Sequence, residues 1–271
     1  MKKIVYALLA TVIIFIAGYY MVTKDYKSVP VLMYHHFDND KKNVNDMTVQ
    51  TSEFEKQIKY LKDNGYTAIT LKDLTEYKEN KKSLPEKPIL ITIDDGYRSN
   101  YDIMYPIIKK YKMKATIFVI GERIDNANKK SNSIPKFNWK QAKEMYDSNI
   151  IDIECHTYDS HKKGPTKRGE KGIFASALKN ETKEEFESRI TKDLEKNMNV
   201  IKKNIGYTPI ALAYPYGDYS SKTEKILKNH GIKYSFLAEG GKEKNIGKSY
   251  LIKRIPVDGN YTLNEFKNKL K

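Results

Sequence analysis

From residue 29 onward, short apolar runs alternate with stretches in which apolar residues recur every three or four positions. The runs that read as strands are Val29–Tyr34, Thr67–Thr70, Ile89–Asp94, Ala115–Ile120, Ile150–Glu154, Ile210–Tyr214, Tyr234–Leu237 and Leu251–Ile255. Several are unbroken Val/Ile/Leu segments, the pattern of strands covered on both faces. Between them lie helices. Ser52 with Glu55 has the form of a capping box, followed by Phe54, Ile58 and Leu61 on one face and Asn64-Gly65 as a stop. Thr182 with Glu185 opens a long helix whose stripe is Phe186, Ile190, Leu194, Met198 and Ile201. Ser221 with Glu224 opens another, ending near Gly231. The basic, Gly/Pro-containing stretch from Lys162 to Lys171 reads as an exposed loop. Strand–helix alternation over this length predicts an α/β domain with a parallel sheet, open or closed into a barrel.

The N-terminus follows a different pattern. Ile4 to Val22 is one apolar run, preceded by Lys2 and Lys3 and followed by Lys24 and Asp25. A helix of roughly 19 residues spans a hydrocarbon core of ~30 Å. Residues 1–22 are therefore expected to form a membrane anchor, residues 23–29 a linker and residues 30–271 one folded domain. The preceding lysines favour an N-inside orientation, which puts the domain outside a cell membrane crossed once. The alternative is a cleaved signal peptide and a secreted domain. No cysteine follows the run closely, which excludes a lipoprotein. Cys155 is the single cysteine, so an intrachain disulfide is excluded too.

A formal charge of +15 points to anionic surroundings: nucleic acid, anionic lipid or an acidic wall polymer. The lysines are spread along the whole chain, with no compact basic block interleaved with aromatics, which argues against nucleic acid. A solvated lysine-rich surface accounts for the charge equally well. The domain is expected to act as a monomer.

Four strand ends carry candidate chemistry. Ile91-Thr92-Ile93-Asp94-Asp95-Gly96-Tyr97 is an apolar strand ending in two adjacent carboxylates. Neighbouring strand residues point to opposite faces, so Asp94 and Asp95 share a site only if the chain turns there, as Gly96 permits. Glu154-Cys155-His156-Thr157-Tyr158-Asp159-Ser160-His161 holds two of the chain's five histidines. They converge only if His156 ends its strand and His161 comes off the following turn. Cys155 is expected to be buried and to face away. One carboxylate and two imidazoles suit zinc or a similar first-row metal, nickel and cobalt included. A second carboxylate beside them suits a general base. Ala213-Tyr214-Pro215-Tyr216-Gly217 bends the backbone where a main-chain N–H could meet an oxyanion. Val31-Leu32-Met33-Tyr34-His35-His36-Phe37 puts a histidine at the first strand end, where it could serve as a general acid. His230, at a helix end beside Gly231, reads as structural. Each motif taken singly is also a plain strand-to-turn transition.

Together these motifs, from about Pro30 to Asp258, resemble the polysaccharide deacetylases of carbohydrate esterase family four, the NodB-like domains. The resemblance implies a distorted (β/α) barrel of about seven strands. It implies Asp94 as base, and Asp95, His156 and His161 as ligands of a divalent metal, zinc foremost. The i, i+5 histidine spacing with Tyr34-His35 and Ala213-Tyr214-Pro215-Tyr216-Gly217 looks like the biofilm branch, which deacetylates poly-β-1,6-N-acetylglucosamine. Two features depart from many members. The arginine that opens the third motif is Ala213 here, and the late Leu-x-Leu-His motif that supplies the acid is missing. The resemblance therefore implies His35 as the acid, with Asp258 orienting it and the Tyr216 N–H at the oxyanion. The implied partner is a polymer with N-acetylglucosamine units. Rivals are a peptidoglycan or chitin-oligomer deacetylase, an acetyl-xylan esterase, or a non-catalytic wall-polysaccharide binder.

Overall fold

The computed structural model describes residues 28–270 apart from residues 80, 131, 244, 245 and 247–249. The expected membrane segment, Ile4 to Val22, lies outside the described residues. Among the described residues, no helix is long and apolar enough to cross a membrane.

Seven parallel strands close into a ring: β1 (Val31–Tyr34), β2 (Lys87–Asp94), β3 (Ala115–Ile120), β4 (Ile151–Thr157), β5 (Ala211–Ala213), β6 (Tyr234–Gly240) and β7 (Leu251–Pro256). Each pairs with its neighbour in sequence. β1 closes the ring by pairing with β2, Met33 opposite Thr92, and with β7, Leu32 opposite Ile255. The short strand Tyr66–Ala68 adds to the start of β2 from outside the ring. The ring is irregular: β4 and β5 share a single registered pair, Cys155 with Leu212. The expected barrel of about seven strands is the one observed.

All seven strands run the same way, so their C-terminal ends form one mouth, where the chain turns toward helices and can leave polar side chains unpaired. Helices pack around the ring: α1 (Thr51–Asp63), α2 (Leu71–Lys78), α3 (Tyr105–Lys110), α4 (Gly121–Asp125), α5 (Trp139–Asp147), α6 (Lys183–Ile205), α7 (Ser221–Asn229) and α8 (Leu263–Lys269). The strand alternation divides the core in two. Ile89, Ile91 and Ile93 of β2 pack in the shell with helix residues such as Phe186, Ile190 and Leu194. Leu90 packs with Phe118, Ala211, Phe236 and Ile252 inside the ring. Thr92 and Asp94 lie on the same side of β2 as Leu90, nearer the mouth.

Three local expectations are corrected. Helix α1 begins at Thr51 with Gln50 as its cap and no side-chain cap bond, so Ser52 and Glu55 form no capping box. In α7 the cap is Ser220, whose hydroxyl accepts from Thr223 N; Glu224 is instead drawn inward, where it accepts from Tyr214 Oη at 2.8 Å and from Ser235 Oγ. A buried phenol and hydroxyl gain more from that carboxylate than an exposed helix end does. The stretch from Lys162 to Lys171 is not a loop but an antiparallel hairpin, Lys163–Thr166 with Gly169–Gly172. Its lysines and glycines hide any strand periodicity. The box of Thr182 and Glu185 on α6 is present in full.

Candidate metal centre at the barrel mouth

β2 ends at Asp94, and the next two residues turn sharply: Asp95 has φ 74° and Gly96 φ 69°. An aspartate in the left-handed region is uncommon and costs about 1 kcal/mol or more. The turn makes the expected convergence real, with Asp94 facing up the barrel and Asp95 swung to its rim.

His156 reaches the same place by another route. It does not end its strand; β4 continues to Thr157. Cys155 pairs with Val119 and Thr157 with Ile120, so His156 is the extra residue of a bulge. A bulge re-aims the side chain without ending the strand. Cys155 is fully buried in the shell, facing away as expected. His161 comes off the turn that follows. Asp193 of α6 holds that turn: its carboxylate accepts from Tyr158 N at 2.8 Å, Asp159 N at 2.9 Å and Ser160 Oγ at 2.8 Å.

Asp95, His156 and His161 present one ligand atom each within 4.8 Å of one another. Asp95 Oδ1 lies 3.6 Å from His156 Nε2 and 3.4 Å from His161 Nε2. Two ligands about 2.1 Å from a tetrahedral ion stand roughly 3.4 Å apart, so these spacings suit a shared cation. His156 Nδ1 donates to Ala213 O at 2.6 Å, which leaves the Nε2 lone pair turned inward. Asp95 Oδ1 is buried and has no hydrogen-bond partner among the described residues. A buried, unpaired carboxylate oxygen facing two imidazole nitrogens is costly unless a cation sits between them. Burial lowers the His161 pKa to about 3, helped by the charge of His156, which keeps the ring a neutral donor. Burial opposes ionisation of Asp95, but His161, His156 and Lys136 outweigh it and hold the carboxyl well below its usual range. The donor set fits a divalent ion.

Asp94 is gripped from across the barrel. Arg254 of β7 donates from Nη1 to Oδ1 at 2.7 Å and from Nη2 to Oδ2 at 2.8 Å. Both side chains are buried. Burial pushes the Asp94 pKa up, but Arg254 and His156 pull it down further, below the ordinary carboxylate value. A guanidinium thus meets Asp94 from β7, while position 213 carries alanine. Arg254 stands beside Lys253 in its strand, so nothing in the sequence showed which of the two charges turns inward, and its role was missed.

His35 Nε2 lies 3.9 Å from Asp94 Oδ2. Asn100 donates to the His35 carbonyl at 2.8 Å and fixes the strand end. Burial lowers the His35 pKa, and Asp94 partly restores it. His36 points elsewhere, its Nδ1 2.8 Å from Ser99 Oγ. Tyr216 has φ 59°, and its ring lies tilted against that of His161, with the centres 4.7 Å apart. Its N–H takes no part in the turn's bonds, which run from Gly217 N to Tyr214 O and Asp218 N to Pro215 O. At 43% exposed, its ring is open to solvent. Asp258 is not brought to His35 by any hydrogen bond; it accepts from Asn260 N and Nδ2 in its own turn. His230 accepts from or donates to no site group and pairs with Ile226 O and Glu195 on the surface. Two further residues went unremarked in the sequence. Burial and the charge of Asp95 raise the Tyr97 pKa, and Lys136 Nζ sits 3.1 Å over the centre of the Tyr97 ring. Neither has a motif of its own.

A barrel mouth with a candidate metal triad beside an arginine-clamped carboxylate has the parts of a hydrolytic site. The polysaccharide deacetylase profile matches residues 81–235. The chain is 31% identical over 222 residues to the poly-β-1,6-N-acetyl-D-glucosamine N-deacetylase of Staphylococcus aureus, covering 82% of this chain and 72% of that protein. Among solved structures it is similar to a de-N-acetylase from Aggregatibacter actinomycetemcomitans, with TM-score 0.81, 24% identity and 90% of this chain and 100% of that one covered. It is also similar to IcaB from Ammonifex degensii, with TM-score 0.75, 25% identity and coverage of 89% and 96%. The chain belongs to the polysaccharide deacetylase family, and it is a polysaccharide N-deacetylase.

Proposed function

We propose that the chain hydrolyses N-acetyl groups of poly-β-1,6-N-acetylglucosamine outside the cell, using a divalent metal held by Asp95, His156 and His161. The observation that carries the metal-dependent reading is the unpaired Asp95 Oδ1 set between two imidazole nitrogens. The named activity of the Staphylococcus aureus relative supports the polymer. The apolar run from Ile4 to Val22, with lysines before it, supports an anchored domain facing outward.

When bound, a divalent ion supplies Lewis-acid polarisation and a more acidic water. The rest falls to the chain's own residues. Asp94, ionised and fixed by Arg254, takes the proton of the attacking water. His35, on the other side of Asp94, protonates the departing sugar amine. The free N–H of Tyr216 faces the growing negative charge, and its exposed ring offers a flat surface to a sugar. The products are acetate and a glucosamine unit.

The test is acetate release from poly-β-1,6-N-acetylglucosamine and from peptidoglycan, each with and without chelator. Chelator-sensitive release from the first alone is expected. Equal or greater release from peptidoglycan would overturn the substrate, and chelator-resistant release would overturn the metal.

A further inference from the structure

The hairpin Lys163–Thr166 with Gly169–Gly172 reaches the catalytic mouth at Tyr216. Its register pairs Lys163 with Gly172. Gly172 packs directly on the site: a Cβ there would stand 3.2 Å from Tyr216 Cδ2 and 3.1 Å from Asp218 Oδ2. A larger residue would lift the hairpin off the ring. With glycine in place the opposite strand comes close, and Lys163 Nζ sits 4.9 Å over the centre of the Tyr216 ring. Two bonds pin the approach: Gly172 N donates to Asp218 Oδ2 at 2.7 Å, and Ile173 N donates to Lys162 O at 3.0 Å.

The ring is the only partner of that ammonium. Lys162 beside it pairs with Asp159, and Lys171 on the other strand lies 3.7 Å from Asp218. Lys163 itself is exposed and has no ion-pair partner among the described residues. Arg123 of α4 adds a second positive charge. Burial raises the Tyr216 pKa and Arg123 pulls it back; burial and His156 lower the His161 pKa and Arg123 lowers it further. Asp218, the carboxylate next to the ring, is already engaged by Gly172 N and Lys171. An acetylated sugar arriving at Tyr216 is neutral and can displace the ammonium from the ring face. A deacetylated sugar carries an ammonium of its own, so it meets a like charge and finds both ring and carboxylate taken.

We propose that Lys163 is a specificity-determining residue: it disfavours hydrolysis of an acetyl group whose neighbouring sugar, at Tyr216, is already a glucosamine. The inference rests on the reading of Tyr216 as a sugar platform beside the deacetylation centre. It gives the hairpin a use that the reaction itself does not require. Amines are then placed apart along the polymer rather than in runs. Like charges about 7 Å apart cost roughly threefold in bulk water and more in a half-enclosed cleft, so one lysine is enough to bias the choice.

Acetate release at pH 7 from two β-1,6-linked pentamers tests this. Each carries one acetyl group, on the central sugar, and ends in glucose; the two neighbours of the central sugar are glucose in one and glucosamine in the other. The pair differs in charge and not in the number of acetyl groups. The wild type should favour the glucose pentamer by about fivefold or more in kcat/KM. Lys163→Met should cut that preference by about threefold or more, and Lys163→Arg, which restores the charge, should keep it. Lys62→Met, the same charge loss at the far end of α1, should also keep it. Equal rates on the two pentamers, an undiminished preference in Lys163→Met, or an equal loss in Lys163→Arg or Lys62→Met would each overturn the proposal alone. No acetate from a fully acetylated pentamer would overturn the substrate and this proposal with it.

Discussion

Arg254 and Asp94 stand on strands that are 160 residues apart in sequence, yet both guanidinium nitrogens meet both carboxylate oxygens within 2.8 Å. The pair crosses the barrel mouth from β7 to β2. Arg254 also donates from Nε to Leu237 O at 2.6 Å, so its plane is fixed from a third strand. The clamp holds the Asp94 carboxyl low in pKa and fixes its direction, which is what its proposed role as base requires.

Removing the clamp should therefore damage both stability and chemistry. Arg254→Met leaves a buried carboxylate without its partner, at a cost of about 3–5 kcal/mol. Acetate release should fall at least ~100-fold, because Asp94 loses the partner that aims it and offsets its burial. Arg254→Lys cannot make the paired bonds and should recover only part of the loss. Thermal unfolding and acetate assays decide it; a fully active Arg254→Met would remove Arg254 from the base's support.

Base and ligand roles should separate cleanly. Asp94→Asn is expected to bind zinc with near wild-type affinity while turnover drops by about 10²–10⁴. Asp95→Ala and His156→Ala should lose both. Added zinc at about 100 times its Kd should stabilise wild type and Asp94→Asn by about 2.7 kcal/mol and leave Asp95→Ala unmoved. Zinc-dependent stabilisation of Asp95→Ala would break the ligand assignment.

Asp193 is the support of the histidine turn and touches neither ring. Asp193→Ala should free the Tyr158–Ser160 backbone and loosen His161. A loss of about 10–100-fold in zinc affinity is expected, the usual effect of removing an outer-shell support. Zinc titration with a competing chelator measures it, and Asp193→Asn should retain part of the affinity. Wild-type affinity in Asp193→Ala would show that the turn holds its own shape.

Asp152 gives a pH dependence away from the centre. Burial raises its pKa to about 6, against the opposing bond from Leu71 N and the charge of Lys114. The unfolded chain loses this proton near pH 4, the folded one near pH 6. Between those values the folded state holds more protons, so stability falls as pH rises through the window. Asp152→Asn, which can still accept from Leu71 N, should gain on the order of 2 kcal/mol at pH 7.5 and nothing at pH 4. An equal change in melting temperature at both pH values would rule this out.

Much of the molecule was written in local sequence. The apolar runs gave all the barrel strands, because a strand buried on both faces needs continuous Val and Ile, and no distant residue changes that. Asp94-Asp95-Gly96 announced its own turn, since only that turn lets adjacent carboxylates share a site. The rest depended on partners far along the chain. Nothing near residue 254 says that an arginine there meets Asp94. Nothing near 193 says that an aspartate there holds the histidine turn. The bulge at His156 is set by the register of β3 against β4, and Glu224 left its helix cap for Tyr214 and Ser235, which are neighbours only once the barrel closes. Periodicity and turn chemistry act over a few residues and are readable one segment at a time. Buried charge pairs are settled by which strands the closed ring sets face to face, and that is decided by the fold as a whole.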